Sequence, residues 1–315
     1  MNKNRQTHRL RHIDIAKGIG IICVVWGHSL IEYGHYIIYM FHMPLFFYLS
    51  GIFHKDSEYN SLVRKKINGL IIPLLAFIFL LTPLSLVFGD DSLSITPPHL
   101  KRYLGPLWFL WALFLLSILY HPFMRLRLTR RLVVCFIVSF VLGYIPHLLG
   151  FENWGYVFTV FSSLVFYCLG NVWGDRIVAD RGKMFLSVMT LLLSVALCLA
   201  YILEYKVLHY DIIDVFDNHI SPAYGVYVAI SVVGIALIIC ISKLIDTARW
   251  VAGLLALVGE CSLYIFALHM PLMLTVRHWL PYEGIAFEIV LIVSSLALGC
   301  LARPIFKKIC PTVFK

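Results

Sequence analysis

Apolar residues along this chain come in long runs broken by short polar segments. Ten runs stand out: Ile13–Leu30, Ile37–Phe53, Ile67–Phe88, Pro106–Phe123, Leu132–Leu149, Gly155–Trp173, Phe185–Leu203, Tyr224–Ile241, Val251–Leu274 and Ala286–Ala302. Each lasts about 17 to 24 residues, the length a helix needs to cross hydrocarbon, whereas barrel strands would alternate over about 10. A segment in lipid must satisfy its own backbone groups, which favours helices. The pattern predicts an all-α, polytopic membrane protein with ten transmembrane helices. The second run is short and holds His42 and Pro44, and the ninth could end early at Pro271. The runs divide the chain into a segment 1–12, a single transmembrane domain 13–302 and a tail 303–315. The longest connections, Gly89–Gly105 and Glu204–Ala223, are too short for an independent domain, so chemistry is expected inside the bundle or its short loops.

Composition supports this reading. Of 315 residues, 60% are hydrophobic and only 14% charged, against roughly 25% in a soluble domain. The net charge of +9 would suit nucleic acid in a soluble protein, but its distribution points elsewhere. With the N-terminus in the cytoplasm, 21 Lys and Arg fall in cytoplasmic segments and four (Lys101, Arg102, Lys206, Arg277) in outer loops. This strict alternation predicts both termini in the cytoplasm. The basic charge is then topology, and no nucleic-acid partner is expected. The first apolar run is interrupted by Lys17 and lacks a small-x-small cleavage site, so it is expected to remain in the mature protein.

Seven of the eight cysteines fall in apolar runs and Cys310 in the tail, which excludes a disulfide framework and gives no CxxC metal motif. No metal is expected. Asp211, Asp214 and Asp217 are spaced i, i+3, i+6 and could hold a cation, but a solvated acidic loop reads more simply. The string His-Met-Pro-Leu occurs twice, at His42–Leu45 and His269–Leu272.

The chemistry concentrates on the first span. Charge in the centre of a span costs about 2.5 to 3.5 kcal/mol on insertion scales. Lys17 and His28 are eleven residues apart, about 20° from one helical face and about 16 Å along the axis. Asp14 precedes Lys17 by one turn and can pair with it. Ile21 and Val24 lie between them on the same stripe, and Gly18, Gly20 and Gly27 beside it allow close approach by a helix or ligand. One reading is structural: Lys17 snorkels to the interface and Asp14 neutralises it. The other is catalytic, since a histidine near neutral pKa is a natural general base.

The segment Arg9-Leu-Arg-His-Ile-Asp-Ile-Ala-Lys-Gly-Ile-Gly-Ile-Ile-Cys-Val-Val-Trp-Gly-His28 resembles the opening of the acyltransferase family 3 membrane proteins, whose first helix carries a basic residue, ten residues, then histidine. Phe41-His-Met-Pro-Leu-Phe-Phe-Tyr-Leu-Ser-Gly-Ile-Phe53, Arg64-Lys-Lys-Ile-Asn-Gly-Leu-Ile-Ile-Pro73, Pro106-Leu-Trp-Phe-Leu110 and Gly259-Glu-Cys-Ser-Leu-Tyr-Ile-Phe-Ala-Leu-His269 are similar to later family segments, in family order. The resemblance implies transfer of an acyl group, usually acetyl, from cytoplasmic acyl-CoA to a hydroxyl of a surface polysaccharide or lipid-linked glycan. It also implies a bacterial inner membrane location.

In that light Lys17, Arg64, Lys65 and Lys66 would meet the CoA phosphates of acetyl-CoA; an ordinary positive-inside loop explains the last three equally well. His28 would deprotonate the acceptor hydroxyl, with Asp14 holding Lys17 in place. Ser50, or His28 itself, is the candidate for an acyl-enzyme. His42 and His269 could bind acceptor, shuttle a proton or make structural hydrogen bonds. Trp108 could stack on a sugar or sit in an interfacial aromatic belt. Glu260 reads as a further ionisable group inside the ninth span. The rival class is an exporter or flippase of a polysaccharide or lipid-linked sugar, with Asp14 and Lys17 as gating charges. Short loops offer little surface for a receptor or scaffold. Acceptor, acyl chain and oligomeric state are not legible.

Overall fold

The computed structural model describes residues 3–88, 105–174, 182–207, 209, 213–220, 223–280, 282, 284–311 and 313–314, with side chains outside 3–10 and 83–88. Among the described residues the regular structure is helical, apart from one isolated bridge between Asp214 and His219. The helices are α1 (Lys3–Gly27), α2 (His35–Tyr39), α3 (His42–Ile52), α4 (Tyr59–Lys66), α5 (Ile72–Phe88), α6 (Trp108–Tyr120), α7 (Leu128–Val138), α8 (Ile145–Leu148), α9 (Val157–Trp173), α10 (Lys183–Tyr201), α11 (Tyr224–Ile245), α12 (Arg249–Glu260), α13 (Ser262–Trp279) and α14 (Ile285–Ile309). Single π-helical stretches join α4 to α5 and α7 to α8, and extend α10.

Seven described helical segments are long and apolar enough to cross a membrane, and the bent pair α12–α13 makes an eighth. The chain is a multi-pass membrane protein. The first two expected spans fall outside that count for physical reasons. α1 carries Asp14, Lys17 and a polar N-terminal half. α3 has 11 residues, about 16 Å or half a bilayer.

The second expected span is broken because Pro44 lies in the first turn of α3 and has no N–H to donate to the Met40 carbonyl. Ser231 Oγ donates to that carbonyl instead, at 2.7 Å. His42 Nδ1 bridges the break by bonding the Ile38 carbonyl of α2 at 2.9 Å. The ninth span differs from expectation too. It continues through Pro271 to Trp279 and bends earlier, by 72° between α12 and α13. Glu260 therefore sits at the break, partly exposed, and pairs with Arg303 at 2.7 Å. It is not a buried charge within a continuous span.

α1 is the centre of the bundle, packing on α12, α11, α13, α3, α14 and α2. In lipid no hydrophobic drive pulls helices together, so small residues that let backbones touch set the contacts. Gly18 lies against the Leu255 carbonyl of α12, and Gly259 of α12 lies against the Asp14 carbonyl of α1. The same device seats α3 on α9, where Gly51 meets the Tyr167 carbonyl and Gly170 meets the Tyr48 carbonyl. At the α1–α12 end, Arg11 pairs with Asp246 at 3.4 Å and donates to the Arg249 carbonyl at 3.1 Å. This end, which also carries Arg303 and the α4 basic cluster, is called the basic end below.

The α1–α12 crossing yields a test. Gly259→Ala forces the two backbones apart and should lower the thermal unfolding midpoint in detergent, at a cost of about 1–3 kcal/mol. Gly253→Ala on the same helix meets nothing within 4 Å and should leave it unchanged or slightly raised. Equal midpoints for the two variants would rule out close packing as the basis of the crossing.

Candidate active site

The end of α1 opposite the basic end is where the candidate site forms. The final carbonyls of a helix have no partner within it, and here side chains from other elements supply them. The Trp26 carbonyl accepts from Ser29 Oγ at 2.7 Å and bonds His35 Nε2 at 3.1 Å. The Gly27 carbonyl accepts from the Tyr39 hydroxyl at 3.0 Å. The His28 carbonyl accepts from Arg277 Nη2 at 3.4 Å. His28 itself sits in the turn just past Gly27, partly accessible.

Two of the other predicted histidines meet it. The rings of His28 and His269 have centroids 5.2 Å apart, and His42 lies within electrostatic reach of His28. Each neighbour is locked by its own helix. His269 Nδ1 bonds the Ile265 and Phe266 carbonyls at 3.0 and 2.9 Å, and His42 Nδ1 bonds Ile38 as described. A carbonyl only accepts, so Nδ1 carries the hydrogen in both rings and the neutral ring keeps its lone pair on Nε2. His269 is fully buried, and its Nε2 has no hydrogen-bond partner. The repeated His-Met-Pro-Leu string thus makes the same local bond twice, from histidine to the carbonyl four residues earlier. An aromatic line continues from this cluster: His269, Phe266, Phe109 and Phe46 follow one another at centroid separations of 6.1, 5.6 and 5.9 Å.

Lys17 and Asp14 lie toward the basic end of α1. Lys17 Nζ donates to Asp14 Oδ1 at 3.0 Å and sits 5.2 Å from the centre of the Phe53 ring. The stripe between Lys17 and His28 is closed, because Ile21 and Val24 are fully buried. Accessibility runs instead along the α1–α3 seam. Phe46 and Ser50 on α3 stay partly accessible and Phe53, just past its end, is exposed, and the bare face of Gly20 looks onto Phe46.

The remaining predicted residues are spread. Arg64 and Lys65 are exposed in the last turn of α4, and Lys66 is half-buried within electrostatic reach of His54. Trp108 is buried among Tyr156, Phe216 and Phe47 at 5.5, 5.8 and 6.4 Å and touches the aromatic line at Phe109, 6.2 Å away. Of the acidic loop, Asp211 lies outside the described residues, and Asp214 Oδ1 accepts from the Phe216 N–H at 2.9 Å, shaping the turn. Among the described residues no group of three or more His, Cys, Asp or Glu is arranged to hold a metal ion.

Sequence reading missed two polar networks. Near the basic end, buried His54 bonds the Tyr167 hydroxyl at 2.9 Å and His121 at 3.3 Å. Asn171 donates to the His54 carbonyl at 2.8 Å and accepts from Tyr120 and Arg131 at 2.8 and 3.0 Å. A cavity of about 440 Å³ lined by Asp56, Tyr59, His121 and Arg125 opens beside it. His54 directly follows the family-like segment ending at Phe53, the one available signal. The second network joins Arg277 to Glu288, bonded at 2.6 Å and 3.2 Å.

Comparison with known proteins agrees with this architecture. The family described as "Acyltransferase domain" matches residues 10–303, and the chain belongs to it, acyltransferase family 3. Among curated proteins it is similar to Nodulation protein NolL of Mesorhizobium japonicum, 28% identical over 214 residues that cover 60% of this chain and 55% of that protein. It is also similar to Nodulation protein NolL of Sinorhizobium fredii, 27% identical over 190 residues, 54% of this chain and 50% of that one. The chain therefore spans about half the length of the curated relatives it matches. No solved structure matches it.

Tyr39→Phe removes the donor to the Gly27 carbonyl. It should destabilise the protein by about 1–3 kcal/mol, the cost of an unpaired buried polar group, read as a lower unfolding midpoint. An unchanged midpoint would show that this carbonyl finds another partner.

Proposed function

We propose that this protein is a membrane-bound O-acyltransferase that moves an acyl group, most simply acetyl, from acyl-CoA at the basic end to a hydroxyl of a carbohydrate at the far end. The basic end faces the cytoplasm of a bacterial inner membrane. Ten membrane passes, with α1 and the α2–α3 segment as the first two, put both termini there. The observation that carries the reading is the histidine cluster at the end of α1, His28 against a fully buried His269 whose Nε2 is unpartnered, in a chain of this family.

In this reading a nitrogen of His28 accepts the proton of the acceptor hydroxyl as its oxygen attacks the thioester carbonyl carbon. The new C–O bond forms, the C–S bond breaks, and the leaving CoA thiolate takes the proton from the imidazolium. His269 Nε2 can accept the other N–H of His28 and so hold the ring in one orientation, the arrangement by which a third group orients a base. His42 and the aromatic line from His269 to Phe46 wall the space where thioester and hydroxyl meet. The pantetheine arm enters along the α1–α3 seam, past Lys17, Phe53 and Ser50, because the Ile21–Val24 face is closed. Lys17 and the α4 cluster Arg64, Lys65 and Lys66 attract the phosphates of the donor, and Asp14 keeps Lys17 oriented without removing its remaining donors. Transfer is direct, with Ser50 lining the donor path.

His28→Ala should lower transfer from acetyl-CoA to endogenous membrane glycan by about 10²- to 10⁴-fold while insertion is normal; full activity would remove His28 as the base. Lys17→Ala should weaken acetyl-CoA binding with little change in acceptor use, and an unchanged affinity would take Lys17 out of the donor site. A thermal shift on adding acetyl-CoA is expected. Its absence, together with unacetylated surface glycans in expressing cells, would favour a polysaccharide or lipid-linked sugar exporter.

A further inference from the structure

Arg277 and Glu288 are two charges that neither the acid–base step nor the donor path employs. Arg277 lies two residues before the end of α13, and Glu288 lies in the first turn of α14. Glu288 is 3% exposed, so its charge is covered by protein and needs compensation. Its bonds account for both carboxylate oxygens. Oε1 accepts from Arg277 Nε at 3.2 Å, and Oε2 accepts from Arg277 Nη2 at 2.6 Å and from the Leu30 N–H at 3.0 Å. Arg277 Nη2 also reaches the His28 carbonyl at 3.4 Å.

If the pair only stapled α13 to α14, its spare hydrogen-bonding capacity would fall on those helices. It falls instead on the main chain at the His28 carbonyl and the Leu30 N–H, on either side of Ser29 in the turn that begins at His28. The guanidinium holds the carbonyl side of that turn and the carboxylate holds the amide side. A Lys could supply the charge but not the planar fork that reaches a carboxylate and a carbonyl together. This turn leaves the i→i−4 ladder of α1: the His28 and Ser29 N–H groups still bond the Val25 and Trp26 carbonyls at 3.3 and 2.9 Å, while the His28 carbonyl and the Leu30 N–H find their partners in the ion pair.

We propose that Arg277 and Glu288 are positioning residues that clamp the His28 turn and so set the direction of the His28 ring. The proposal rests on the reading of His28 as the base. It adds that the base is aimed by an ion pair contributed by the last two helices of the chain.

The test uses the full chain in membrane vesicles with endogenous glycan acceptor and radiolabelled acetyl-CoA, turnover being normalised to folded protein. Glu288→Gln and Arg277→Gln should each lower kcat on the order of a hundredfold, as expected when a catalytic group shifts by about 1 Å. The apparent KM for acetyl-CoA should stay within about threefold, and the double variant should fall no further than either single, because the pair acts as one unit. Arg277→Lys should be intermediate. A purely structural staple would instead lower the unfolding midpoint and folded yield, with turnover per folded molecule unchanged. That result overturns the proposal.

Hydrogen–deuterium exchange supplies a readout that does not depend on catalysis. In Glu288→Gln the peptide spanning residues 26–33 should exchange about tenfold faster, with distant peptides unaffected; unchanged exchange there overturns the clamp whatever the activity. His28→Ala assayed alongside separates the two claims. Full turnover in that variant defeats the base reading and with it the aim assigned to the pair. Loss in His28→Ala with wild-type turnover in Glu288→Gln defeats the clamp alone.

Discussion

A peptide group enclosed among packed helices has no water to fall back on, and the far end of α1 is organised around that fact. The helix stops at Gly27 while still enclosed by α2, α3, α13 and α14. Its last carbonyls are answered by the turn that follows and by other elements: Trp26 by Ser29 and by His35, Gly27 by Tyr39, His28 by Arg277. Each bond draws another segment to the same point. The histidines arrive by the same logic, since His42 and His269 use one ring nitrogen on their own backbone and are left with the other. What reads as a cluster of catalytic groups is thus also the solution to a hydrogen-bonding problem set by where a helix ends.

The basic end obeys a different constraint. There the cost is in charge rather than in unpaired carbonyls, and it is met by short-range neutralisation. Lys17 sits on Asp14 and over Phe53, Arg11 on Asp246, Arg303 on Glu260. The glycine contacts between α1 and α12 work in concert with these pairs, because backbones that touch bring Asp14 and Gly259 to one level and carry the Arg249 carbonyl within reach of Arg11. Packing and electrostatics reinforce one another at this crossing.

The sequence made the helical class and most element positions legible because apolar run length is a direct readout of bilayer thickness. Spans four to eight fall within about four residues of their expected bounds, and the tenth starts at Ile285, next to the expected Ala286, but runs on to Ile309. The row on α1 was legible as well, since a charge in an apolar run violates the pattern that defines the run. Where reading failed, the cause was local chemistry acting through tertiary partners. The break before α3 follows from Pro44, but its tolerance depends on Ser231, nearly two hundred residues away. The bend at Cys261 follows Gly259 and Glu260 and precedes Ser262, a polar dip too short to divide an otherwise apolar run, which is why Glu260 looked internal. Arg277 was counted as a loop charge because a basic residue near a helix end is ordinarily one. Its bond to Glu288 and to the His28 turn exists only once α13 and α14 are side by side. His54, a lone histidine beyond a span, carries no pattern, while Trp108 stands out by type and packs among Tyr156, Phe216 and Phe47.

The closed stretch between Lys17 and His28 has a consequence for proton leakage. A hydrated file of Asp, Lys and His along a helix in a membrane would be a proton wire, and a membrane that holds a proton gradient could not tolerate it. Ile21 and Val24, sealed among their neighbours, interrupt that file with two apolar side chains. They act as an insulator in a helix that otherwise has the makings of a conductor. Titratable groups can therefore occupy both ends of α1 without short-circuiting the membrane in which it is embedded.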